Sequence, residues 1–272
     1  MLLPEAYQLD LEAPLGRFEQ DGYARLGPVM SGDVAEELRA RADEIMLGTR
    51  PDPGFFYQHD SKSGRYEDLK YGQGWEGPSL AYRKIEKIEL DPLFRGWIAN
   101  PLFKRITEET LGEGVTIYRA VLWNKAPRDQ NDAKDAEEEA KHGGTRLPWH
   151  QDDGVFWGLD RPPSLQIWTA LDDAPLEAGC LEVLPGSHKG GLATPDGGTI
   201  PQPLLDTHCG KDLIAKLPAK SGEAILLHNH TWHASGLNAT AKARRAISIS
   251  FLSSDTHCNR KRRAPRVFDP VF

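Results

Sequence analysis

Cysteine is scarce in this chain. Cys180, Cys209 and Cys258 are odd in number and far apart, which excludes a disulfide framework and fits reduced thiols in a cytoplasmic setting. Long apolar runs are missing as well, so no membrane span is expected. The opening Met1-Leu2-Leu3-Pro4-Glu5-Ala6 has no basic region followed by an apolar core, so a secretory signal is not expected either. Positive charge is in deficit: a formal net charge of −7 leaves no basic face able to displace counterions from a nucleic acid. No repeat of fixed period is present, which excludes solenoids and propellers. Oligomeric state has no signature in the sequence.

What is there suits one globular enzyme domain over residues 1–272, with 39% hydrophobic and 27% charged residues providing for a single sizeable core. The first part, about 1–112, reads as helical support. Ser31 caps a helix whose apolar positions Val34, Leu38, Ala42 and Ile45 recur at helical spacing. Asp91-Pro92 and Asn100-Pro101 open two more helices, the second ending at Gly112. Residues 49–80 mix Gly, Pro, aromatic and charged residues without a period, as an irregular segment near a pocket would, and place Tyr71 and Trp75 where they could reach a substrate.

From about 113 to 256 strands dominate: Val115 to Asn124, Ser164 to Leu171, Cys180 to Leu184, Ala224 to His228 and Ala246 to Leu252. Short strands at that frequency suggest a jelly roll, a mainly β architecture with flanking helices. A polar insertion, 126–144, reads as a solvated loop or as a lid over a substrate. Arg260, Lys261, Arg262, Arg263 and Arg266 form a basic run, solvated or able to meet an anionic substrate.

The chemistry starts at His150-Gln151-Asp152. Residues i and i+2 of a strand project from the same face, so this imidazole and carboxylate can share one metal. A second imidazole from a distant strand completes the two-histidine, one-carboxylate set suited to non-heme Fe(II) oxygenases, with positions left open for exchangeable ligands. His-x-Asp alone is weak, because nine histidines in an Asp-rich chain make such a triplet by chance.

Its context carries more. Downstream come Gly179-Cys180-Leu181-Glu182-Val183-Leu184-Pro185-Gly186-Ser187-His188, then Gly222-Glu223-Ala224-Ile225-Leu226-Leu227-His228, then Thr231-Trp232-His233-Ala234-Ser235-Gly236-Leu237-Asn238, then Arg244-Arg245-Ala246. With the opening Phe18-Glu19-Gln20-Asp21-Gly22-Tyr23, this ordered set resembles the phytanoyl-CoA dioxygenase family of Fe(II)/2-oxoglutarate oxygenases over most of the chain. The resemblance implies a double-stranded β-helix of the cupin-like kind. It implies Fe(II) held by His150, Asp152 and His233, with 2-oxoglutarate and O2 as co-substrates and Arg244 pairing the far carboxylate of the keto acid. It further implies that Ser235 and Trp168 line the co-substrate pocket and that Lys87 touches the keto acid. His228, His230 and His188 are read instead as hydrogen-bonded or loop histidines.

Arg244 also has support from its own strand: Ala246, Ser248 and Ser250 share its face, leaving room for a ligand, while Arg245 points the other way with the apolar residues. A planar guanidinium in that space can grip a carboxylate with two bonds. The implied activity is oxidation, foremost hydroxylation, of a small-molecule C–H bond with release of succinate and CO2. The carboxylate at position 152 argues against halogenation. Phe156, Trp157 and Tyr118 are candidates for shaping the substrate site, or core packing. Two alternatives remain: a cupin-like isomerase or hydrolase using the same ligands without a keto acid, and a noncatalytic binding protein of the same fold.

Overall fold

The computed structural model describes residues 3–61, 63, 65–71, 74–127, 144–260 and 266–272. Among the described residues there are five α-helices: α1 Glu12–Asp21, α2 Gly32–Met46, α3 Pro92–Ile98, α4 Pro101–Leu111 and α5 Gln202–His208. Ser31 accepts from the Val34 amide, Asp91 from Leu93 and Phe94, and Asn100 from Phe103, so each of these caps satisfies donors that its helix leaves open. Gly22 ends α1 at φ 77, with its amide bonded to the Phe18 carbonyl. A side chain there would run into Thr231, so this position requires glycine on steric as well as conformational grounds.

The strands among the described residues are, in chain order, β1 Tyr23–Pro28, β2 Phe56–His59, β3 Tyr82–Glu86, β4 Val115–Lys125, β5 Leu147–Gln151, β6 Leu165–Ala170, β7 Leu181–Val183, β8 Gly198–Thr199, β9 Ala215–Leu217, β10 Glu223–Leu227, β11 His233–Ser235, β12 Arg244–Ser253 and β13 Asp269–Pro270. They make two antiparallel sheets, a major one ordered β1-β10-β6-β12-β4-β3-β2, with β13 on β4, and a minor one ordered β8-β5-β11-β7-β9. This is the jelly roll the strand spacing implies.

Alternation along the strands decides what each face holds. In β12, Ile247 and Ile249 point outward and pack with Ile167, Leu226 and Leu122 against Leu38 and Ile45 of α2 and Leu102, Phe103 and Ile106 of α4. Each such fully buried side chain contributes about 1.5–3 kcal/mol relative to exposure. The inward set of β12, Arg244, Ala246, Ser248 and Ser250, lies opposite Lys125, Trp123, Val121 and Arg119 of β4. On its other side Ala246, Ser248 and Ser250 face Ala170, Trp168 and Gln166 of β6. Trp168, Leu181, Val183, Ile225, Leu227 and Ala246 fill the space between the sheets.

The expected helical support of residues 1–112 is only partly what forms. Three strands of the major sheet come from it: β1 at one edge, β2 at the other, and β3 beside β2. These are short, and one ends in Gly27-Pro28, so they gain strand character from tertiary pairing rather than from a local period. A bulge in the β2–β3 ladder pairs Gln58 with Lys84 and His59 with Tyr82, leaving Arg83 as the extra residue. Most of the 126–144 insertion, and residues 261–265 of the basic run, lie outside the described residues.

Candidate metal centre

β5 and β11 pair antiparallel with His150 opposite His233, which brings the two imidazole rings to a centroid separation of 4.0 Å. Asp152 follows where β5 ends; its amide donates to the Asn229 carbonyl at 2.9 Å, and the Asn229 side chain donates back to the Asp152 carbonyl at 3.0 Å. The carboxylate therefore sits between the rings, Oδ2 at 3.5 Å from His233 Nε2 and Oδ1 at 4.0 Å from His150 Nε2. One ligand atom from each of the three lies within 4.8 Å of the others, the one such cluster among the described residues.

The hydrogen bonds behind these groups orient them. His150 Nδ1 lies 2.8 Å from the Pro148 carbonyl, and His233 Nδ1 lies 2.8 Å from the Thr231 carbonyl. A carbonyl only accepts, so each Nδ1 carries the hydrogen and each Nε2 lone pair faces the shared centre. Burial, with His233 close by, pushes His150 down to about 3, so at neutral pH its imidazole is an uncharged donor.

Asp152 has two donors of its own. Arg119 Nη2 donates to Oδ1 at 2.7 Å and Gln166 Nε2 donates to Oδ2 at 2.9 Å. Gln166 is itself oriented, its Oε1 accepting from Ser248 at 3.3 Å and Ser250 at 3.2 Å. Burial would raise the Asp152 carboxyl, but the Arg119 guanidinium bonded to Oδ1 outweighs it and holds the carboxyl well below the usual carboxylate range. Two imidazole nitrogens and an ionised carboxylate, all braced from behind, fit a divalent first-row metal with open positions.

The same cavity, about 650 Å³ including its mouth, is lined by Trp168, Ser235, Ser248 and Arg244 as well as the three ligands. Arg244 is only 3% exposed; Nη2 donates to the Gly179 carbonyl at 2.7 Å, and Nε has no partner. Burial lowers it to about 10, which leaves it a cation at neutral pH. No carboxylate among the described residues forms an ion pair with it, whereas Arg245 on the opposite face pairs with Asp172 at 2.7 Å and Asp43 at 2.6 Å. A buried cation without a counter-charge is costly unless an anionic ligand arrives.

Lys87 does not join this cluster. It follows β3 in a left-handed turn at φ 66, exposed and away from the cavity lining, so the expected contact with the keto acid is corrected. The sequence places two other lysines or arginines of that segment inward: Arg83, by the bulge, and Lys84, whose Nζ pairs with Glu86 at 2.7 Å. Tyr71 and Trp75 are exposed and outside the lining; Trp75 donates to the Met46 carbonyl at 3.4 Å and covers Gly48. Trp157 and Tyr118 stack with centroids 4.1 Å apart and back Arg119, while Phe156 is exposed. Arg260 donates to the Phe156 carbonyl at 2.8 Å and Arg266 to the Tyr118 carbonyl, so the described ends of the basic run hold structure. His230 Nε2 bonds Asp153 at 2.8 Å and His188 Nε2 meets the Glu19 carbonyl at 3.1 Å, hydrogen-bonded positions apart from the centre. Arg119, Gln166, Arg83 and Lys125 were not singled out in the sequence, although Arg119 and Lys125 at even spacing in an otherwise apolar strand are the mark of charge turned inward.

Two antiparallel sheets with a His-Asp-His cluster and a buried arginine between them define the jelly-roll architecture of 2-oxoglutarate-dependent oxygenases. The chain belongs to the phytanoyl-CoA dioxygenase (PhyH) family, whose model matches residues 18–246. It is 26% identical over 263 residues to a phytanoyl-CoA dioxygenase of Arabidopsis thaliana, covering 88% of this chain and 87% of that one. Among solved structures it is similar to the epimerase SnoN in complex with Fe3+, alpha ketoglutarate and nogalamycin RO, at TM-score 0.70 and 17% identity over 96% of this chain and 98% of that one. It is also similar to EctD from S. alaskensis with 2-oxoglutarate and 5-hydroxyectoine, at TM-score 0.69 and 19% identity over 91% and 77%. No helix among the described residues is long and apolar enough to cross a membrane.

Proposed function

We propose that this chain is a non-heme Fe(II)- and 2-oxoglutarate-dependent dioxygenase that hydroxylates a C–H bond of a small molecule. The observation that carries the reading is a buried guanidinium, without a carboxylate partner among the described residues, in the same cavity as three convergent side chains able to hold a metal. His150, Asp152 and His233 would hold the iron. Ferrous iron in that position supplies oxidation by dioxygen coupled to conversion of 2-oxoglutarate to succinate and carbon dioxide.

The chain's own residues do the positioning. The carbonyls of Pro148 and Thr231 keep both Nε2 atoms directed inward, and Arg119 with Gln166 keeps Asp152 ionised and fixed. Arg244 would take the far carboxylate of the keto acid, with Ser235 beside it. Trp168, Leu181 and Leu227 make that end of the cavity apolar, which excludes water and strengthens the ion pair.

Anaerobic addition of Fe(II) and then 2-oxoglutarate tests this by the weak visible charge-transfer band of the chelate. His150→Ala is expected to abolish the band, and Arg244→Ala to weaken 2-oxoglutarate at least about tenfold, the worth of a charged hydrogen bond. Arg245→Ala loses the ion pairs to Asp172 and Asp43 and is expected to lower the melting temperature without changing that affinity. Equal losses of affinity from the two arginines overturn the anchor. The likeness to an epimerase favours one second outcome of the same oxidation. Product mass separates the two, since hydroxylation adds an oxygen and epimerisation does not.

A further inference from the structure

Among the described residues the cavity wall carries cationic side chains beyond the one that a keto acid needs. Arg83, Lys125 and Arg244 come from β3, β4 and β12, with Lys125 directly opposite Arg244. All three line the cavity, with Arg83 6% and Lys125 7% exposed. The other inward cations of this sheet are closed, Arg119 by Asp152 and Lys84 by Glu86, each at 2.7 Å.

Arg83 and Lys125 are not closed in that way. Lys125 Nζ donates to the Thr145 carbonyl at 2.8 Å and has no ion pair among the described residues. Arg83 Nη1 donates to the neutral Gln58 Oε1 at 2.7 Å, and its Nε is 3.9 Å from Asp60 Oδ1. Among the described residues Asp60 makes the one ion-pair contact that either side chain has; its Oδ1 already accepts from the Thr145 amide at 2.9 Å, and burial pushes its carboxyl up. Burial also lowers Lys125 well below the ordinary lysine range, so the Arg83 guanidinium is the standing charge of this wall, and its Nε lies 3.9 Å from Asp60 Oδ1, beyond hydrogen-bond distance. Trp123 lies under the Arg83 guanidinium at 5.4 Å and lines the same cavity, so this end has an aromatic floor beside its charge.

We infer that Arg83, with Lys125 beside it, is a substrate subsite for a carboxylate, so that the oxidised molecule is a monoanionic carboxylic acid lying against Trp123. The inference rests on the proposed function, since it leaves Arg244 to 2-oxoglutarate. A planar guanidinium takes a carboxylate through two parallel bonds, and its single charge matches a carboxylate better than a phosphate dianion.

The test uses anaerobic protein carrying Fe(II) and 2-oxoglutarate, titrated with matched acids and primary amides: phenylacetate and phenylacetamide, hexanoate and hexanamide, N-acetyl-L-phenylalanine and its amide. Binding is read from the change in the visible band and by calorimetry. Acids are expected to bind at least about tenfold more tightly than their amides. Arg83→Gln should erase that preference, Arg83→Lys should keep part of it, and 2-oxoglutarate affinity should stay within about threefold in both. Amides that bind as well as acids, no acid that binds at all, or phenyl phosphate that outcompetes phenylacetate each overturn the subsite; the wild-type comparison decides even if a variant fails to fold. Loss of 2-oxoglutarate affinity in Arg83→Gln with the acid preference intact assigns Arg83 to the keto acid instead. A normal band with no acid preference sinks the subsite alone, whereas no band sinks the oxygenase reading.

Discussion

At the scale of single residues, the three convergent donors are only as well placed as what stands behind them. Arg119 reaches Asp152 from β4 and is itself backed by the Trp157 ring at 4.7 Å. Arg119→Gln is expected to weaken Fe(II) or Co(II) binding by about 10–100-fold, the usual effect of removing an outer partner of a ligand. A metal titration monitored by Co(II) absorption, with circular dichroism to verify the fold, measures it; unchanged affinity would make Arg119 a packing residue. His228 gives a second prediction. Burial and its histidine neighbours push it down to about 3, while in the unfolded chain it takes up a proton near about 6.5. Between those values the unfolded state binds the extra proton, so this histidine costs stability progressively as pH falls through that window and nothing above it. His228→Asn should lose less melting temperature than the natural chain between about pH 7 and pH 5; an equal loss places the acid sensitivity elsewhere. His150, Asp152, His233 and Arg244 were legible because strand alternation and the order of the motifs name them. The contact expected of Lys87 came from the resemblance alone, and the left-handed turn at φ 66 that leaves this residue exposed has no mark in residue types.

At the scale of elements, α2, α3 and α4 were readable because their caps are written locally, Ser31, Asp91 and Asn100 at their starts and Gly112 at the end of α4, whereas α1 and α5 have no side-chain cap and were not read. The long strands β4 and β12 were equally readable, since each has one apolar face and one polar or small one. The edge strands β1 and β2, and β3 beside β2, were not, because their pairing partners are not adjacent in sequence and their own composition is that of loops. The turn at Gly179 shows how tightly elements are fitted around the cavity. Gly179 has φ 68, a side chain there would strike the Gly236 carbonyl, and its own carbonyl receives Arg244. Gly179→Ala is expected to cost about 1–3 kcal/mol of stability, as a strained left-handed residue does, and to weaken 2-oxoglutarate as well. Denaturant melts together with the charge-transfer titration verify both; a stability loss with unchanged affinity would detach this turn from the anchor.

At the scale of the whole molecule, the three donors come from β5, the residue after it and β11, so they exist as a group only in the folded chain. Fe(II), or Mn(II) as an oxygen-stable stand-in, should therefore raise the melting temperature, with about 2.7 kcal/mol of stabilisation at a hundredfold excess over Kd. 2-Oxoglutarate should add a further rise only when metal is present and Arg244 is intact; a rise independent of both would mean it binds elsewhere. The loop that carries the second histidine is stapled from the far end of the chain. The Gly22 carbonyl accepts from the His228 amide and from the Thr231 hydroxyl, both at 2.8 Å, and the Gly186 amide donates to the Asp21 carbonyl at 2.8 Å. The Gly22 side of this staple precedes Thr231 by 209 positions, so the contact closes only after the segment between them has been made. A product cut short before Thr231 lacks both that contact and His233, and so keeps two of the three convergent side chains without the third.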